Sequence, residues 1–362
     1  MKKQLTVALG LAVLATPVFA SKARLQALGE STNGSFYIND NRNVFLNPEA
    51  VNAHSDLVTY EWGQDVNSAT PDTTATPNAE GGFFKSHGSF NYGVQLGRVL
   101  SSQNGFEKLG NTYRPGNAID LFVGGDAGIK WGAQATYQKA YDDANKDKTH
   151  TYDLALGATQ GNLSGFINYG IGAKAEDNNV EVKRKGTYSI GGSYKMMGMT
   201  AFGQYSRAEF EKDNANDDTY TSTGWLLGVG REHKLTDKTV MFTRLSGSQF
   251  TETLPAGATT TRAVPVTIGF EHDVNSWMVL RGSVAQNLWS SVRAQGGDKS
   301  NVANTTVVNA GATLKFGDLN VDGVVGNNSD ATNAGLGAST AAGKGQLRTD
   351  SLMSRVSVTY RF

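Results

Sequence analysis

From residue 55 to its end the chain is written in a period of two. In "GIKWGAQATYQ", beginning at Gly128, Ile129, Trp131, Ala133, Ala135 and Tyr137 share one face, while Lys130, Gly132, Gln134, Thr136 and Gln138 share the other. In "RAVPVTIGFEH", Val264, Val266, Ile268 and Phe270 alternate with Ala263, Thr267 and Glu271. "LSGFINYGIGAK" sets Leu163, Ile167, Tyr169 and Ile171 against Ser164, Asn168 and Lys174. That period belongs to strands with one apolar and one polar face. Each run is roughly ten residues, the length a tilted strand needs to cross a hydrocarbon layer.

The connections separate two folds that share this pattern, the soluble sandwich and the membrane barrel. Short ones fall near 86–88, 124–126, 160–162, 196–198, 235–237, 274–276 and 317–318, several with the Gly, Asn or Asp that tight hairpins favour. Long polar ones alternate with them: 64–78, 101–117, 142–149, 176–185, 212–218, 251–261, 290–303 and 326–348. Short turns at one end and long loops at the other define a transmembrane barrel. The fold class is therefore all-β, a single antiparallel transmembrane β-barrel over 55–362. Seven short and eight long connections join sixteen strands, an even number as such barrels require. Reading 79–100 as one strand, rather than two turning at His87, lowers the count to fourteen.

The N-terminus fits this destination. "MKKQLTVALGLAVLATPVFA" has a basic start, an apolar stretch too short for a membrane anchor, and small residues at Val18 and Ala20. It reads as a signal peptide, residues 1–20, cleaved between Ala20 and Ser21, which sends the chain through the inner membrane to a bacterial outer membrane. No cysteine is present, so neither a disulfide frame nor a thiol catalyst exists. Without Lys2 and Lys3, 31 of the 33 basic residues remain against 33 acidic ones. That balance argues against a nucleic-acid partner.

Two segments resemble known families. The chain ends "SLMSRVSVTYRF", with Val356, Val358, Tyr360 and Phe362 alternating with polar residues. Tyr360 and the terminal Phe362 resemble the C-terminal signature of Gram-negative outer-membrane porin-like barrels, which implies recognition by the barrel-insertion machinery. Residues 21–54 do not alternate. Their "ALG" and "NDNRNVFLNPEAV", with Asp40, Asn47 and Pro48, resemble the N-terminal segment of porin-like and fatty-acid-transporter-like barrels, with Glu49 where that family often has Ala. The resemblance implies packing inside the periplasmic half of the barrel; a capped periplasmic tail is the alternative.

Alternation sends Lys130, Lys174, Lys195, Arg244, Arg281, Lys315 and Arg355 to the interior, with Asp120, Asp153, Glu232, Glu271 and Asp322. These are the candidate pore-lining residues. Glu271 with Arg281, and Glu232 with Arg244, flank short turns in two similar hairpins; they are either a selecting ring or structural ion pairs. Charges spread over many strands suit a hydrated lumen, and a barrel of this size is wide enough for one. The expected function is a porin-like channel for passive diffusion of small hydrophilic solutes and ions. Phe122, Phe166, Phe202 and Phe242, if inward, keep open a transporter of hydrophobic substrates with an N-terminal plug. The five histidines form no grouping with Ser or Asp, so an enzymatic barrel is disfavoured. No cofactor or metal motif is present. Outer-membrane lipids are the expected surroundings, and the porin resemblance implies a homotrimer. Trp131, Trp277, Phe316, Tyr360 and Phe362 form the expected periplasmic aromatic girdle, and Tyr60, Trp62, Tyr141 and Trp289 the outer one.

Overall fold

The computed structural model describes residues 21–64, 79–100, 102–110, 117–142, 147–177, 180–213, 218–301, 306–326 and 353–362. The signal-peptide region and the segment 327–352 lie outside them, as do 65–78 and several loop tips. The strands are β1 (Leu57–Gln64), β2 (Glu80–His87), β3 (Phe90–Arg98), β4 (Ala118–Asp126), β5 (Lys130–Asp142) and β6 (Asp147–Gln160). They continue with β7 (Leu163–Asp177), β8 (Val180–Met196), β9 (Met199–Asp213), β10 (Thr219–Thr236), β11 (Thr239–Leu254) and β12 (Gly257–Asn275). The last are β13 (Met278–Ala294), β14 (Lys299–Asn301), β15 (Thr306–Phe316), β16 (Leu319–Gly326) and β17 (Met353–Arg361). Each pairs antiparallel with its neighbour, and β17 pairs with β1 from Leu57↔Arg361 to Gln64↔Ser354, closing the ring. The short β14 and β15 both lie against β13, at different heights, so the ring has sixteen positions. Region 79–100 is two strands.

Alternation is set by what lies on each side. Outward residues such as Leu121, Leu156, Ile190 and Leu227 are exposed in the isolated chain, the arrangement of a wall that faces lipid. No described helix is long and apolar enough to cross a membrane; the strands do the crossing. Trp277, Phe316, Tyr360 and Phe362 are exposed at the short-turn end, and Tyr60, Trp62, Tyr141 and Trp289 further up the wall.

The wall is uneven. The strands β16, β17 and β1–β4 have eight or nine residues, whereas β8 and β10 to β13 have sixteen to nineteen. Two loops expected to be long are instead strand. The ladder of β7 and β8 extends to Asp177↔Val180, and β11 and β12 meet at Leu254↔Gly257. Polar residues such as Thr259 and Thr261 read as loop because both faces of a strand standing above the membrane meet water.

Lys174 is also corrected. Tyr152 pairs with Gly172 and Asp153 with Gly170, leaving Ile171 as an extra residue. This bulge reverses the parity of the upper part of β7. Ala173 and Ala175 are buried inside, and Lys174 is turned to the outer surface, where it pairs with Glu181 and Glu176.

Candidate functional site: an occupied lumen

Residues 21–54 lie inside the barrel at its short-turn end. They form α1 (Lys22–Ala27) and the 3-10 helices η1 (Asn41–Phe45) and η2 (Pro48–Asn52). Each has a local start signal. Ser21 accepts from the Arg24 N–H, Asp40 from Arg42, and Asn47 from Glu49 with Pro48 at the first helical position. Elements this short are not stable alone; the wall holds them.

One half of the wall holds them by charge. Arg24 Nε reaches Glu271 on β12 at 3.0 Å, and its Nη1 reaches Asp40 at 3.1 Å. Arg281 on β13 pairs with the same Glu271 and, at 3.0 Å, with Asp322 on β16. Ser21 Oγ donates to Asp322 at 3.1 Å. Arg42 bridges Glu61 on β1 and Glu80 on β2 at 3.0 and 2.9 Å, and Lys22 pairs with Glu80. On β11, next to β12, Arg244 meets Glu30 at 2.9 Å, while Tyr37 donates to Glu30 at 3.0 Å. Burial raises the carboxyl pKa of Glu30 and pushes that of Asp40 up to about 7, against the pull of Arg24. His54 is buried beside Asn39, and burial followed by repulsion from Arg361 and Arg24 lowers its pKa to about 4.

The other half holds the segment by close approach. Gly124, Gly132 and Gly157 pair across β4, β5 and β6 in one row. A Cβ on Gly124 would lie 2.6 Å from Val51, one on Gly132 would overlap the Pro48 carbonyl, and one on Gly157 the Asn47 amide. Hydrogen bonds fix η2 there: Asn47 Nδ2 donates to Ser164, Thr159 to Glu49, and Asn52 to the Trp131 carbonyl, at 2.9, 2.6 and 2.8 Å.

The inward phenylalanines complete the seat. Phe122 and Phe84 pack with Val44, Val51 and Phe45. Phe242 and Phe202 pack with Leu25, Leu28, Tyr37 and Ile38. Phe36 stacks on Phe202 with ring centroids 4.7 Å apart, and Phe166 lies beside it. Phe45 sits under two guanidinium groups, Arg42 at 4.2 Å and Arg98 at 4.8 Å. From the long-loop end, α2 (Ser102–Lys108) in the β3–β4 connection also turns inward. Phe106 packs edge-on to Phe210, and Lys108 pairs with Glu252 at 3.0 Å.

The twelve candidate lining residues therefore divide. Arg244, Glu271 and Asp322 are buried contacts of the N-terminal segment, and Arg281, also buried, pairs with two of them, Glu271 and Asp322. Asp120 binds Arg98, Asp153 binds Arg184 and Lys315 binds Asp273, all wall-to-wall pairs. Lys130, Lys195 and Glu232 are exposed at the short-turn mouth, and Arg355 is half-buried on β17. Lys174 is outside. Sequence reasoning did not find Arg24, Arg42, Glu61, Glu80 or the glycine row. The last left a readable signal, glycine at an inward position of three adjacent strands.

The chain is an outer-membrane-type β-barrel, porin-like in strand number and sidedness, with the short-turn end of its interior occupied by its own N-terminal segment. No family model matches it, and no curated protein matches its sequence. Among solved structures it is similar to OmpT, an outer membrane protein of Vibrio cholerae (12% identity, 85% of this chain and 97% of that one, TM-score 0.41). It is similar to the toluene transporter TbuX of Ralstonia pickettii (11% identity, 95% and 98% covered, TM-score 0.40). It is also similar to an anion-selective porin from Comamonas acidovorans (12% identity, 85% and 97% covered, TM-score 0.39).

Proposed function

We propose that this protein is a gated outer-membrane channel whose N-terminal segment closes the periplasmic half of the lumen. Small hydrophilic solutes and ions diffuse through when that segment leaves its seat. The observation carrying this reading is the dryness of the inner wall. Asp322, Ser357 and Thr359 are 0% exposed and Glu61 is 2% exposed, although inward polar residues of an open channel are wet. Above the seat the inward residues Asn168, Ser189, Gln204, Ser206 and Ser248 of β7 to β11 are partly exposed, a polar surface suited to hydrated solutes. The low wall of β16, β17 and β1–β4 is where copies would meet in a homotrimer.

Single-channel conductance tests the reading. The refolded wild-type barrel is expected to give rare, brief steps. A variant with a filled seat, Gly132→Val, should give long-lived steps that scale with salt. Equal, long-lived opening of both proteins would show that the segment does not gate. A second reading, transport of hydrophobic molecules, is favoured only by the Phe36, Phe166 and Phe202 cluster. An apolar fluorescent probe displaced by Phe202→Ala would support it.

A further inference from the structure

On the outer surface of the barrel Lys174 of β7 stands opposite Lys183 of β8, and Arg293 of β13 stands opposite Lys299 of β14. Like charges placed directly opposite destabilise a sheet. The first pair is relieved within the chain, because the Glu181 carboxylate pairs with both lysines. The cations around it are matched as well, Lys148 with Glu176 at 2.9 Å and Lys185 with Glu211 at 2.8 Å. The second pair has no such bridge. Among the described residues no carboxylate, that of the adjacent Asp298 included, forms an ion pair with Arg293, Lys299 or the neighbouring Arg262.

These three cations line one cavity of about 150 Å³, together with Thr260 and the buried Ser291. The ladder gathers them. Thr260 pairs with Arg293 and Arg262 with Ser291, on one face of β12 and β13, and Lys299 joins from β14. Arg262 Nε donates to Gln249 Oε1 at 2.7 Å, which orients the guanidinium. Lys299 Nζ lies 4.7 Å from the ring centroid of Trp289. Cations and hydroxyls converging without an acid make the donor set of a phosphate site.

The height of the cavity selects the kind of phosphate. Trp289 lies just below it on the outward wall, paired with Val264, and aromatic side chains there mark the headgroup layer. Beneath Trp289 the outward face continues through Leu245, Ile268 and Val284, all exposed to the hydrocarbon side. A lipid seated here sets its head among the cations and its chains against that apolar wall. We propose that the cavity formed by Thr260, Arg262, Ser291, Arg293 and Lys299 binds a phosphate on the head of an outer-leaflet lipid. The lipid supplies from outside the anion that Glu181 supplies on β8. The site lies on the outer surface, so it holds whether or not the lumen conducts.

The test is native mass spectrometry of the refolded, detergent-solubilised barrel titrated with lipid A, a glycolipid that carries phosphate on its head. Arg293→Gln and Lys299→Gln are each expected to weaken binding of the first lipid about tenfold, the weight of one charge-assisted hydrogen bond. The double variant should lose more. Lys148→Gln removes a cation that Glu176 already matches, and should change nothing. Lipid A stripped of its phosphates should bind the wild type as weakly as intact lipid A binds the double variant. Folding is read by heat-modifiable gel mobility; should a variant not fold, the comparison of the two lipids on the wild type decides. Equal binding by wild type and double variant, or equal binding of the two lipids, would overturn the proposal. Displacement of lipid A by inorganic phosphate at equal concentration would assign the cavity to a free ion and refute the lipid.

Discussion

Gly132 on β5 lies so close to Pro48 at the start of η2 that a side chain at 132 would occupy the Pro48 carbonyl. The wall is cut away one residue deep where the 3-10 helix rests. Overpacking a fitted contact costs roughly 1–3 kcal/mol, and neither partner here is a flexible side-chain tip. Gly132→Ala should therefore speed protease cleavage within residues 21–54 by about tenfold while the barrel keeps its folded gel mobility. Gly323→Ala, where a Cβ meets nothing within 4 Å, should change neither. A seat substitution that leaves cleavage unaffected would mean the segment is not held there.

Removing Arg24 leaves the Asp40 carboxylate without its ion-pair partner and Glu271 with Arg281 alone. Breaking a buried pair from one side costs about 3–5 kcal/mol, so Arg24→Met should undock the segment by two orders of magnitude or more. Lys85 and Asp56 also form an ion pair, at 2.9 Å, but at 42% and 30% side-chain exposure. Exposed pairs contribute about 0–1 kcal/mol, and Lys85→Met should be nearly silent in the same assay. Comparable effects of the two variants would contradict the burial that separates them.

Docking should also carry two opposed pH dependences. His54 has its pKa lowered to about 4 in the folded protein, from an ordinary value of 6.5. Its contribution is present above pH 6.5 and lost as pH falls from there to about 4. Asp40 has its pKa raised to about 7 from 3.8, so its contribution is present below 3.8 and lost as pH rises to about 7. Between about pH 4 and 6.5 the slopes oppose each other, and wild-type cleavage should vary little. Asp40→Asn should expose the histidine, with docking weakening toward acid. His54→Gln should expose the aspartate, with docking weakening toward neutral pH. Parallel profiles for the two variants would rule out this pairing of slopes.

The barrel was legible because lipid imposes one rule along every strand: apolar outward, with turns short on one side. Strand pairing in region 79–100 followed from the same rule. What the rule does not reach is the inside. Inward residues answer to whatever fills the lumen, so Asp322 looks the same in sequence whether it meets water or Ser21. Parity also fails wherever a bulge adds a residue, and Ile171 has no composition that announces one. The cations that complete the cluster, Arg24 and Arg42, lie in a segment with no period. Only their distances to Glu271 and Glu61 connect them to the wall.

Lys174 gives that failure of parity a test. Alternation from Leu163 sends it inward, and the bulge at Ile171 sends it out to Glu181 and Glu176. The chain has no cysteine, so a single introduced thiol is a clean reporter. Lys174→Cys should react with a bulky, membrane-impermeant thiol reagent on intact cells as fast as an exposed surface thiol does. Labelling should leave conductance and ion selectivity of the unplugged Gly132→Val barrel unchanged, because the adduct lies outside the wall. Thr149 and Ala175 are paired on the opposite face and buried, so Ala175→Cys should resist the reagent. Reversal of that order would restore the simple alternation and remove the bulge from the fold.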